Sequence, residues 1–170
     1  MVSSAASPNG IDGVTRLLLA QINNARTQAP LDDPCMSAFT ARLASINRLA
    51  EESPGFVWRL QGEEGDATAL RVFADPMLLV NMSVWESYEA LKTYVYRSAH
   101  RELLRDRQRW FGRLETAHLA LWWIPAGTLP GLEEARERLA LIAAAGPGPG
   151  AFTFSTFYPP PASDASAAHR

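Results

Sequence analysis

The chain has one cysteine, Cys35, in 170 residues, which excludes an intramolecular disulfide and any metal site built on several thiolates. Cys35 follows Asp32-Asp33-Pro34 in a loop or helix-start setting, where a thiol needs a neighbouring base before it can act as a nucleophile. Lysine is just as scarce. Of the 16 Lys+Arg, only Lys92 is a lysine, a bias that accompanies abundant alanine, proline and glycine and lowers the weight of any single arginine. No apolar run approaches the ~20 residues that a membrane-spanning helix needs. The first 13 residues lack both the basic start and the apolar run of an export signal, so the expected compartment is the cytoplasm, away from any membrane. A net charge of −2 and a pI near 5.9 provide no field to gather nucleic acid or anionic lipid, and no nucleic-acid motif is present. The three histidines, His100, His118 and His169, are widely scattered and no H-E-x-x-H occurs, so no metal site is expected.

What is there is an ordinary balance of 47% hydrophobic and 20% charged residues, which suits one globular domain. Residues 1–13 read as a disordered N-terminal segment, 14–158 as a single domain and 159–170, beginning at Pro159-Pro160-Pro161, as a disordered tail. Residues 16–23 form a first, buried strand, with a loop expected over 25–34. Met36, Phe39, Leu43, Ile46, Leu49 and Ala50 then line one side of a helix that Ser53-Pro54-Gly55 stops. A second strand over 56–60 places Phe56, Trp58 and Leu60 on one side. An acidic, glycine-rich turn over 61–68 and a brief extended piece over 70–73 come next. The third strand, 77–85, sets Leu79, Asn81, Ser83 and Trp85 against Leu78, Val80, Met82 and Val84, the face with Asn81 being the more polar. Residues 118–124 read as a fourth strand, 132–144 as a further helix with Glu133 and Glu134 at its start, and 152–158 as a last strand. The order β-α-β-β-α-β, plus one more helix and strand, is that of a ferredoxin-like α+β domain: an antiparallel sheet with its main helices on one face.

The most informative stretch runs from 84 to 112. It begins as the end of the third strand, turns at Trp85-Glu86-Ser87 and continues as a long amphipathic helical segment on which Tyr96, His100, Leu103, Leu104, Arg107 and Phe111 share a face. An imidazole and a guanidinium among apolar groups point to a pocket, because buried polar groups need partners. The near-neutral pKa of an imidazole suits His100 to moving a proton, with Tyr96, Asn81 or Arg107 stabilising charge on a substrate oxygen. The expected catalytic set is therefore His100, Tyr96 and Arg107. Trp58, Asn81, Trp85, Leu103, Leu104, Trp110, Phe111 and Trp123 are the expected substrate-binding residues. Simpler assignments fit the same residues. A helix histidine also bonds to nearby carboxylates, tryptophans also fill cores and dimer interfaces, and Arg97, Arg101, Arg105 and Arg109, with Glu102 and Asp106 between them, also make a solvated face. Adjacent Trp122 and Trp123 must point to opposite faces of their strand.

The runs SPGFVWRL, LLVNMSVWES, YRSAHRELLRDRQRWF, LALWWIPAG and GPGPGAFTF resemble a bacterial family of unknown function (DUF3291-like) in the dimeric α+β barrel superfamily. More distantly, Val84-Trp85-Glu86-Ser87 followed by a helical histidine is similar to the antibiotic-biosynthesis monooxygenases and the related haem-degrading enzymes. The resemblance implies a homodimer paired sheet to sheet, with a small-molecule ligand between sheet and helices in each subunit. It implies a small hydrophobic metabolite-binding enzyme of secondary metabolism: a cofactor-independent monooxygenase, isomerase or cyclase. One alternative is a haem-binding protein, with His100 the counterpart of the iron-binding histidine. Another is a non-catalytic ligand-binding or assembly module. Neither nucleic acid nor membrane is an expected partner, and no cofactor is expected unless the haem alternative holds.

Overall fold

The first strand is the centre of a five-stranded antiparallel sheet. The computed structural model describes residues 15–62, 75, 77–97, 105–114 and 117–162. In chain order the elements are β1 (Leu17–Thr27), α1 (Ser37–Glu51), β2 (Phe56–Arg59), β3 (Leu78–Trp85), α2 (Tyr88–Arg97), β4 (Phe111–Gly112), β5 (Leu119–Pro125) and α3 (Leu132–Ala145). One edge of β1 pairs with β3, which pairs in turn with β2. Its other edge is shared between β5, along Leu17 to Asn23, and β4, at Arg26 and Thr27. This β2-β3-β1-β5 order is the ferredoxin-like arrangement that the sequence predicts, with β4 an added pair at the far end.

Both faces of this sheet are covered, so β1 is nearly all buried. Leu18, Ala20 and Ile22 form one core with Val84, Met82 and Val80 of β3 and Ile124, Trp122 and Ala120 of β5; α3 seats Ala135 and Leu139 on it. On the opposite face Leu19 meets Trp85 and Trp123, and α1 and α2 bring Ala50, Tyr88, Leu91 and Tyr94. Trp122 and Trp123 do lie on opposite faces. The two main helices share a face as expected, whereas α3 lies on the other, tied down by the Trp122 indole donating to Glu134 at 3.0 Å and by Arg138 donating to the Gly150 carbonyl at 2.8 Å.

Four local expectations are corrected. Residues 25–27 are strand, not loop, because Ala25 and Arg26 pair with β3 while Arg26 and Thr27 pair with β4, and ladder partners on both edges override the polar composition. Phe56 and Trp58 do not share a side. A bulge between them lets Phe56 oppose Trp85 and Trp58 oppose Val84, so Phe56 faces α2 while Trp58 and Leu60 join the α3-side core. The helix expected after the 85–87 turn does not reach 112: Tyr88–Arg97 is α2 and Arg105 and Asp106 are helical, with 98–104 outside the described residues, but Arg107–Arg109 is a 3-10 turn and Phe111–Gly112 is strand. Gln28 holds that end, its backbone N–H bonding Trp110 O at 2.8 Å and its side chain Gln108 O at 2.9 Å. Finally, 152–158 is a strand only at Phe152, which exchanges two 2.8 Å bonds with Leu121; beyond it the chain turns at Thr153 to Thr156. The expected 61–68 turn lies mostly, and the 70–73 piece wholly, outside the described residues.

Candidate functional site

Strand alternation places four uncharged polar side chains side by side on the face under α1 and α2. Gln21 opposes Ser83 and Asn23 opposes Asn81, and residues directly opposite in an antiparallel pair share a face. This two-by-two quartet lies between two aromatic clusters. Leu19, Trp85, Tyr88, Tyr94, Trp123 and Phe152 stand at one end. Met36, Phe39 and Trp110, with Leu79 and Phe111 against them, stand at the other. Leu119 and Leu121 of β5 border it on one side. Gln21 and Ser83 are 8% and 5% exposed while Asn81 is open to solvent, so the quartet is a floor that opens toward Asn81.

Two hydrogen bonds give this floor a polarity. Gln21 Nε2 donates to Asn81 Oδ1 at 3.3 Å, leaving the Asn81 amide hydrogens to point elsewhere. Trp85 Nε1 donates to Ser83 Oγ at 2.8 Å, so the Ser83 hydroxyl hydrogen must likewise serve another acceptor. Trp85 is wholly buried, stacked on Tyr94 at 5.1 Å and met edge-on by Phe56 at 5.4 Å. Tyr94 donates to Ile46 O at 3.4 Å, and burial pushes its hydroxyl up to about 12, against the opposing pull of the Arg59 charge. Past the bulge Arg59 opposes Ser83, and its side chain is 12% exposed and bound through Nε to Glu51 of α1 at 2.7 Å.

The sequence-predicted residues divide accordingly. Asn81, Trp85 and Trp123 meet on one face, although the Trp123 indole is already donated to Tyr158 O at 3.0 Å. Trp110 and Phe111 belong to the far cluster, where Trp110 is 2% exposed and Phe111 meets Phe39 edge-on at 5.0 Å; both are packing residues, not members of a helical stripe. Trp58 is on the opposite face and cannot share a cavity with Trp85. Tyr96 lies off the buried Tyr88, Leu91 and Tyr94 stripe of α2, 48% exposed, with its ring against Phe154 at 5.5 Å. Arg107 is exposed on the 3-10 turn. His100, Leu103 and Leu104 lie outside the described residues. Gln21, Asn23, Tyr94 and Arg59 were missed. The first two alternate legibly with Ala20 and Ile22, but Arg59 takes its side from the bulge.

Other features are chemically quieter. A surface hollow of about 420 Å3 beside α2, lined by Gly55, Glu86, Glu89, Thr93, Tyr94 and Arg97 among others, contains none of the sequence-predicted site residues. Cys35 is exposed, and a hydrogen bond to the Asp33 carboxylate raises its thiol above the usual range, which disfavours the nucleophilic thiolate. Among the described residues no group of three or more His, Cys, Asp and Glu is placed to hold a metal ion, and no helix is long and apolar enough to cross a membrane.

The profile of a family described as "Domain of unknown function (DUF3291)" matches residues 18–168. Comparison with curated proteins gave no match. Among solved structures the chain is similar to a protein of unknown function from Nitrosomonas europaea, at 12% identity and a TM-score of 0.44 over 69% of this chain and 98% of that one. It is similar to SnoaB, described as a cofactor-independent oxygenase from Streptomyces nogalater, at 16% identity and 0.41 over 67% and 98%. It is also similar to a monooxygenase of Streptomyces coelicolor solved in complex with nanaomycin D, at 15% and 0.38 over 68% and 95%.

Proposed function

The chain belongs to the DUF3291 family, and we propose that it binds a small hydrophobic metabolite over the Gln21, Asn23, Asn81 and Ser83 floor and acts on it as an enzyme without a cofactor. The observation that carries this reading is the quartet itself, uncharged polar groups between two aromatic clusters on a helix-covered sheet face. A flat apolar ligand gains from the aromatic ends and is oriented by a few polar contacts. Because Asn81 and Ser83 have their acceptor oxygens engaged, they present hydrogens, and hydrogens recognise a ligand carbonyl or the oxyanion that forms on it. Oxygenation, isomerisation and cyclisation, the reaction classes implied by the sequence resemblance, all pass charge onto such an oxygen. His100 is the proposed proton-moving group, and a homodimer the proposed assembly.

Binding is tested with the fluorescent neutral probe N-phenyl-1-naphthylamine, displaced by the aromatic ketone 1-acetonaphthone. Asn81→Leu is expected to weaken the ketone about tenfold while leaving the probe nearly unchanged, the loss of one useful hydrogen bond. Equal affinities for the ketone in both proteins would remove the floor as its binding site. Once a substrate is found, full turnover by His100→Ala would end the proton-transfer role.

A further inference from the structure

Arg59 owes its position to the irregularity in β2. Without the bulge, strand alternation from Phe56 would send residue 59 to the face that α3 covers. With it, Arg59 opposes Ser83, where side chains of directly paired residues start about 5 Å apart, and three observations agree on the side it takes. Its carboxylate partner Glu51 is on α1, its charge reaches Tyr94 on α2, and its neighbours Trp58 and Leu60 pack on the other face. The Arg59 side chain is 12% exposed and that of Glu51 41%, so the arginine is the more deeply buried partner of the ion pair. A charge kept that far from solvent acts more strongly on its surroundings than a surface arginine does.

We infer that Arg59 sets the charge preference of the site: it favours an aromatic ligand carrying an anionic group, a carboxylate, phenolate or sulfonate, placed at the β2 side of the Ser83 and Asn81 pair. This deepens the reading of the quartet as the ligand floor and rests on it. The quartet supplies direction without charge, and Arg59 supplies the charge at one border only, so the ligand is held in a single orientation.

Two probes with one aromatic skeleton separate these effects: neutral N-phenyl-1-naphthylamine and 8-anilinonaphthalene-1-sulfonate, which adds a sulfonate. Each is titrated into wild type, Arg59→Gln and Arg59→Lys, counting only the fluorescence that 1-acetonaphthone displaces. Arg59→Gln is expected to weaken the sulfonate about tenfold and to leave the neutral probe within about twofold, while Arg59→Lys, which keeps the charge, retains most of the sulfonate affinity. The salt dependence of sulfonate binding should vanish in Arg59→Gln. Parallel losses for both probes would mean that Arg59 serves packing alone, and an unchanged sulfonate affinity would mean that its field does not reach the site; either result overturns the inference while the quartet stands. If neither probe binds displaceably to wild type, the quartet reading fails and this inference falls with it.

Discussion

Tyr94 is held neutral by its surroundings, and this makes stability depend on alkali. Its hydroxyl, ordinarily near 10.0, is pushed to about 12 in the fold. A group whose folded pKa is raised contributes stability that is complete below the unfolded pKa and disappears as pH rises through the folded one. Urea midpoints should therefore hold steady to about pH 10 and fall between about 10 and 12, and Tyr94→Phe should flatten part of that fall. Tyr88, also raised by burial, contributes to what remains. At Cys35 the expected change is kinetic. Asp33→Asn removes the carboxylate that holds the thiol up, so reaction with a disulfide reagent at pH 8 should speed up about two- to fivefold. Gly55 has φ of +80°, and a Cβ there would stand 2.6 Å from that of Ala90; its carbonyl also accepts the Glu86 N–H at 2.7 Å. Backbone strain and overpacking together should cost Gly55→Ala roughly 2–4 kcal/mol, read from chemical denaturation.

At the scale of elements, the short run from Arg107 to Gly112 replaces the end of a predicted helix. Trp110 caps the start of α1 with Met36 and Phe39. Trp110→Ala should therefore cost about 3–5 kcal/mol of stability, read from chemical denaturation. The sequence made α1, β3 and β5 legible because their apolar spacing matches the period of one element over its whole length. It misjudged 107–112 because Arg107 and Phe111 stand at a helical interval by coincidence: the latter pairs as strand with Thr27, a partner 84 residues away that no local pattern reveals. The polar side of β3 was readable from Asn81 and Ser83 alone. The other half of the floor, Gln21 and Asn23, needed the register of β1 against β3, and Arg59 needed an inserted residue whose effect is to reverse sides.

At the scale of the molecule, the proposed homodimer faces a constraint. The sheet face that the resemblance assigns to a partner is partly occupied by α3, so a second copy coming from that side meets this helix, where Leu141 is 42% exposed, as well as strands. Sedimentation velocity at micromolar concentration tests the assembly, and a single species of monomer mass would refute it. A chain cut after Ala126 loses Ala135 and Leu139 from one face of the sheet and Phe152 from the other, and should unfold without a cooperative transition by circular dichroism. The position of these covering residues also matters during synthesis. All the described strands have been translated by Pro125, yet Phe152 follows 27 residues later, so at about 5–20 residues per second a growing chain carries an incompletely covered sheet, its α3 side bare, for roughly one to five seconds. For that interval the nascent protein is a natural client for whatever chaperone waits at the ribosome.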